Sequence, residues 1–131
     1  LERADAVIAN QTGAYLQSVE EDLVKIEKAF TNLKIKKADS RTVLGNIDEI
    51  SSRIMNQASS IGYHLLTAVA VELCGVVEKM EAAGPAEIQV IRLHMDTMKL
   101  IIGNRMKGHG GGEGRALLDG LRKTVAKISR N

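Results

Sequence analysis

Ile47–Met80 reads IDEISSRIMNQASSIGYHLLTAVAVELCGVVEKM, a segment with two runs of apolar residues at helical spacing. Steps of three and four residues place each run on one face of a helix. Gly62 stands between the two runs, and glycine commonly closes a helix in a left-handed turn. The segment therefore predicts two consecutive amphipathic helices. Their apolar faces are Val43, Leu44, Ile47, Ile50, Ile54, Ala58 and Ile61 in the first, and Leu66, Val69, Leu73, Val76 and Met80 in the second.

A long first helix is predicted before this segment, over about residues 14–33. Gln11–Gly13 either bends or breaks its join with a helix-like stretch nearer the start of the chain, and the sequence leaves this open. Lys34–Ala38 reads as a connection, and Asp39 and Ser40 are both residue types that cap helices. The apolar face of the first helix is Leu16, Val19, Leu23, Ile26, Phe30 and Leu33.

Two further helices are predicted after the segment. Pro85 suits the first turn of one of them, which carries apolar residues as far as Ile102. Lys107–Gly114 is too rich in glycine to hold a helix, and a last helix is predicted from Arg115 to about Ser129. No stretch alternates with period two. The chain is therefore predicted to be all-α, a single domain formed by an antiparallel bundle of four or five helices.

The composition restricts the classes of function. Only 2% of the 131 residues are aromatic and the formal net charge is +2, which argues against a nucleic-acid partner. The apolar runs are shorter than the ~20 residues that span a membrane, and no secretory signal is visible. Cys74 is the sole cysteine, which favours a reducing compartment. We expect a cytoplasmic protein with no cofactor, no metal and no membrane partner.

Several short motifs occur in an order that is typical of one family. They are Gln57, Gly62-Tyr63, Leu73-Cys74, VIRLHMD at Val90–Asp96 and GRALL at Gly114–Leu118. Most of residues 15–128 thereby resembles histidine-containing phosphotransfer (HPt) domains, in particular a bacterial branch. The resemblance implies an antiparallel four-helix bundle of HPt type, with room for an extra short helix at either end. It also implies a role in two-component signal transduction, with a response-regulator receiver domain or a histidine kinase as the partner.

The phosphoacceptor histidine of the resembling family is replaced by Ser52, counted back from Gly62-Tyr63. Met55 and Asn56 stand in place of the lysine and the glycine that follow it. A neutral imidazole is a nucleophile near neutral pH. A serine hydroxyl without an adjacent base is a weak one, and its phosphate ester is too stable to be relayed. Met55 cannot neutralise phosphoryl oxygens. The sequence therefore predicts no phosphorelay chemistry and no catalytic residue at this position.

The favoured interpretation is a pseudo-HPt interaction module that binds its partner without transferring phosphate. The expected docking face is formed by Ser52, Met55, Asn56 and Ser59, with Ser51 and Arg53 on its flanks. Met55 is expected to expose its thioether, which can adapt to a partner surface.

Two alternatives stay open. One is an active phosphotransfer protein that uses a displaced histidine such as His64, although no Lys-Gly pair follows it. The other is a helical dimerisation or scaffold domain that self-associates through the stripe Leu16–Leu33. Of the other candidate residues, His94 is expected to be structural and at the margin of the core. His109 is expected to be exposed in a flexible turn, and Cys74 to be packed rather than reactive.

Overall fold

The computed structural model describes residues 2–35 and 39–129, and their side chains over 13–34 and 39–128. Across these residues the secondary structure is helical and contains no strand, which confirms the all-α prediction. None of the described helices is long and apolar enough to cross a bilayer. The five helices are α1 (Glu2–Ile35), α2 (Ser40–Ser60), α3 (His64–Glu78), α4 (Pro85–Gly103) and α5 (Gly111–Ser129).

One apolar core joins the first four helices. α1 packs on α2, α2 on α3, α3 on α4, and α4 back on α1, whereas α5 packs outside this group on α4 and α3. The apolar stripe of α1 points into this core, so the surface proposed for dimerisation is used within the chain. The largest fully buried side chains are Tyr63, Phe30, Ile26, Ile47, Ile54, Leu66, Leu73, Ile91, Met95, Met98, Ile101 and His94.

The turn between α2 and α3 has the hydrogen bonds of a Schellman motif. The amide of Tyr63 donates to the carbonyl of Ala58 at 2.9 Å, and that of Gly62 donates to Ser59 at 3.3 Å. Gly62 has φ +78°, a conformation that glycine adopts without strain. The loop before α5 docks on this turn, because the amide of Gly108 donates to the Gly62 carbonyl at 2.8 Å. The turn predicted at Gly62 is therefore confirmed.

Two helix boundaries differ from the sequence prediction. α1 runs without interruption through Gln11–Gly13, and α5 begins at Gly111 rather than at Arg115. The prediction of a loop over Gly111–Gly114 was therefore wrong. The Gly114 amide donates to the Gly110 carbonyl at 2.9 Å, and a Cβ on Gly114 would collide with the His109 backbone and with Leu65. Here glycine permits a close approach of backbone to side chain, which outweighs its low helix propensity.

Candidate functional site

Ser52 lies in the middle of α2 and is half-buried against α3. Its Oγ lies 3.5 Å from Sγ of Cys74, and either atom can be the donor. The thiol also lies 3.7 Å from the backbone carbonyl of Asp48. Ser52 is therefore partly accessible to solvent, and it lies where α2 contacts α3.

The other expected site residues extend from Ser52 along the same side of α2. Asn56 and Ser59 are exposed, whereas Met55 is half-buried and packs against the core. Their spacing of three and four residues places them on one face of the helix. The structure thus brings all four expected residues to one surface, although the Met55 thioether is less open than expected.

α3 contributes the second half of this surface. Val71 precedes Cys74 by three residues, and its side chain is 48% exposed. A tight turn joins α2 to α3, so the two helices run in opposite directions. Three residues back from Cys74 to Val71 therefore lead the same way along the helix pair as three residues on from Ser52 to Met55. Val71 therefore lies at a similar level to Met55 along the helix pair. We define the α2–α3 face as Ser52, Met55, Asn56, Ser59, Val71 and Cys74.

The two expected flanking residues occupy different environments. Ser51 is fully buried, and its Oγ has no hydrogen-bond partner among the described residues. The expectation that Ser51 flanks the docking face was therefore wrong, because it lies on the core side of α2. Arg53 is half-buried and donates to Oδ1 of the buried Asp22 at 3.2 Å, while Gln57 donates to Oδ2 at 3.2 Å. These two residues join α2 to α1.

The α2–α3 face has little capacity for nucleophilic chemistry. The hydrogen-bond partner of Ser52 among the described side chains is a thiol, which is not a general base. Burial raises the pKa of the Cys74 thiol, and the smaller effect of the Ser52 hydrogen bond does not reverse this. A raised pKa keeps Cys74 as the weakly nucleophilic thiol near neutral pH. Neither Ser52 nor Cys74 is therefore an activated nucleophile in this geometry.

His64 and His109 lie together at another place on the surface. Both are exposed, and their rings stack with centroids 5.1 Å apart and planes inclined by 26°. His64 is the first residue of α3, and His109 belongs to the loop that docks on the α2–α3 turn. Among the described residues, no three His, Cys, Asp or Glu side chains converge as metal ligands. The sequence predicted an exposed His109 but gave no sign of its pairing with His64.

His94 lies deeper than the sequence indicated. Its side chain is only 1% exposed, and it belongs among the largest fully buried residues rather than at the margin of the core. Nδ1 lies 2.8 Å from the Val90 carbonyl, which holds the ring along α4. Burial lowers the pKa of His94, and the opposing effects of the Val90 hydrogen bond and of Glu72 are smaller.

Sequence reasoning missed the contribution of α3 to the α2–α3 face. Val71 stands off the apolar stripe of its helix, and this is the one signal that could have identified it. Its position level with Met55 depends on the packing of α3 against α2, which periodicity within one helix does not give. In comparisons with protein-family models, curated proteins and solved structures, nothing matches this chain.

Proposed function

We propose that this chain is a pseudo-HPt domain of two-component signal transduction. In this proposal it binds a response-regulator receiver domain, or the histidine kinase that acts on one, without transferring phosphate. The observation that carries the proposal is the position of Ser52, Met55 and Asn56. They lie together on an accessible face in the middle of α2, where an HPt domain would present its histidine, lysine and glycine.

The arrangement of helices is compatible with an antiparallel bundle of HPt type. α1–α4 share one core, and short connections join α2 to α3 and α3 to α4. Short connections favour antiparallel neighbours. α5 is a fifth helix of 19 residues that packs on α3 and α4 and carries the motif GRALL.

The side chains at the face support a role without phosphotransfer. An HPt-type transfer needs a nucleophile of suitable pKa and a cation near the phosphoryl oxygens. Ser52 supplies a hydroxyl that contacts Cys74, and Met55 supplies no charge. A partner can therefore dock at this position without a chemical step.

The α2–α3 face has the composition of a protein-binding surface. Met55 and Val71 form its apolar centre, and Asn56 and Ser59 supply exposed polar groups at the edge. Protein interfaces commonly combine an apolar centre with a polar rim. Val71 is the best candidate for an anchor, because an exposed valine gains burial when a partner covers it.

Substitution of Val71 by aspartate tests the proposal. Receiver domains and kinase cores from the same organism are titrated into the isotope-labelled chain, and amide shifts are followed. We expect saturable shifts centred on the α2–α3 face, and Val71→Asp weakens binding about tenfold or more. Val24→Asp is the matched control, since Val24 is 56% exposed on α1, away from this face. No binding to any partner at high micromolar concentration contradicts the proposal, and so does an equal effect of both variants.

Incubation with phosphorylated receiver domains separates this proposal from active transfer through a displaced histidine. We expect no acid-labile phosphate on the chain. Transfer that disappears in His64→Ala would establish the displaced histidine as the acceptor and replace the proposal. Transfer that persists in that variant would also contradict a pseudo-HPt role, and it would place the acceptor elsewhere.

A further inference from the structure

A cleft of about 800 Å³ opens between α3, α4 and α5. Its volume falls within the range of ~300–1,000 Å³ that is typical of small-molecule sites. It lies on a different side of α3 from Val71 and Cys74, as the helical spacing of Glu72, Val76 and Lys79 requires. Its apolar walls are Val76, Met80, Val90, Val125 and Ile128.

Two hydrogen-bond acceptors meet at the polar end of this cleft. The Val90 carbonyl can only accept, so Nδ1 of His94, 2.8 Å away, carries the proton. Burial lowers the pKa of His94 and favours the neutral ring, which leaves a lone pair on Nε2. This Nε2 lies 3.8 Å from Oε2 of Glu72. A neutral imidazole nitrogen and a carboxylate oxygen therefore face each other with no proton between them.

The charges around the cleft direct the choice of ligand. Arg122 pairs with Oε1 of Glu72 and leaves Oε2 turned toward His94. Lys79 and Glu87 also line the cleft. A nitrogen with two N–H groups can donate to Nε2 and Oε2 together, whereas one hydroxyl can donate to only one of them. A carboxylate would place another acceptor beside Glu72 and His94.

We propose that this cleft binds a small primary amine with an apolar body. Its ammonium group donates hydrogen bonds to Nε2 of His94 and to Oε2 of Glu72, and its body lies against the apolar walls. The bound amine supplies a donor to each member of this pair, of which His94 is buried and Glu72 is half-buried. The site is separate from the α2–α3 face, so it does not depend on the function proposed above.

Three matched probes test the proposal on the full chain: 2-phenylethylamine, 2-phenylethanol and 3-phenylpropanoate. Each is titrated at slightly alkaline pH while NMR follows the Cε1–H signal of His94 and the amides around the cleft. We expect the amine to produce saturable shifts centred on His94 and Val90. We expect the alcohol to bind about tenfold more weakly, because it lacks the charged donor. The carboxylate should produce no saturable shift.

Glu72→Gln and Glu87→Gln form the matched pair of variants. Each removes one negative charge from a residue that lines the cleft, but only Glu72 faces His94. We expect Glu72→Gln to weaken amine binding about tenfold and Glu87→Gln to change it less than about twofold. Circular dichroism establishes that both variants fold.

Three results overturn the proposal. The first is equal, non-saturable responses to the three probes, which would mean that water occupies the acceptor pair. The second is tighter binding of the carboxylate. The third is a His94 ring that is doubly protonated at slightly alkaline pH, because Nε2 would then donate to Glu72 directly.

Discussion

Tyr63 is fully buried, and its hydroxyl has no hydrogen-bond partner among the described residues. An unpaired buried hydroxyl costs about 1–3 kcal/mol. We therefore expect Tyr63→Phe to raise the free energy of unfolding by about 1 kcal/mol, as measured by urea unfolding. Tyr15→Phe is the control at an exposed tyrosine and should leave the stability unchanged. A clear loss of stability in Tyr63→Phe would mean that this hydroxyl does have a partner.

His94 makes the stability of the protein depend on pH. Its folded-state pKa lies below its ordinary value of 6.5, so the unfolded chain takes up a proton first as the pH falls. The stability that His94 contributes is therefore present above about pH 6.5 and decreases as the pH falls below it. One proton limits the slope to about 1.4 kcal/mol per pH unit. The pKa of Glu27 is also lowered, but this carboxyl changes the stability only when the pH falls below its ordinary value of 4.5. Its effect therefore lies at lower pH than the effect of His94.

Urea unfolding between about pH 7 and about pH 5 measures this slope. His94→Gln should reduce it, even though the substitution also lowers the stability at every pH. Val24→Gln, at an exposed position on α1, is the control and should retain the full slope. An unchanged slope in His94→Gln would assign the pH dependence to another group.

At the scale of helices, periodicity predicted the elements well and their contacts poorly. The apolar stripe Val43–Ile61 predicted α2, and Gly62 predicted its end. Both features depend on residues that are close together in the sequence: one apolar face at helical spacing, and a glycine in a left-handed turn. The spacing of Ser52 and Asn56 likewise predicted that they share a face. The contact of Ser52 with Cys74 sets the register of α2 against α3 and brings Val71 level with Met55, and the pattern of one helix cannot supply that register. The start of α5 was missed for a similar reason, because the close approach of the His109 backbone, and then of Leu65, explains the glycine at 114.

Gly114 tests the explanation for the start of α5. A Cβ at this position would collide with the His109 backbone and press on Leu65. We expect Gly114→Ala to lower the free energy of unfolding by about 1–3 kcal/mol, the usual cost of overpacking. Gly112 lies in the same helical turn, and a Cβ there meets no atom within 4 Å. Gly112→Ala should therefore preserve or raise the stability, by up to about 1 kcal/mol through helix propensity.

Urea unfolding of the two alanine variants under identical conditions distinguishes packing from propensity. If low helix propensity alone determined this segment, alanine would stabilise both positions. Equal stabilisation would therefore contradict the close packing of Gly114 against the His109 backbone and Leu65.

For the whole molecule, α5 is expected to be the least stable of the five helices. In its described part only Gly114 and Leu121 are buried. Leu121 is its one residue in the core, against which Leu117, Leu118 and Val125 pack partly exposed, whereas α1–α4 supply almost all the rest of that core. Its polar tie to α3 is the ion pair of Arg122 with Glu72. Exposed ion pairs contribute little stability, and a helix with few buried apolar contacts opens locally at low free energy. We therefore expect α5 to open locally while α1–α4 stay folded.

Native-state hydrogen exchange measures this difference in opening. We expect the amides of α5 to exchange through local opening at a lower free energy than those of α2 and α3. Leu121→Ala should accelerate exchange in α5 and leave α2 unchanged, since Leu121 is the one fully buried large side chain in the described part of α5. Leu66→Ala in the main core should instead lower protection in every helix, with a cost of about 2–5 kcal/mol. Accelerated exchange of α2 in Leu121→Ala would show that α5 unfolds together with the other helices.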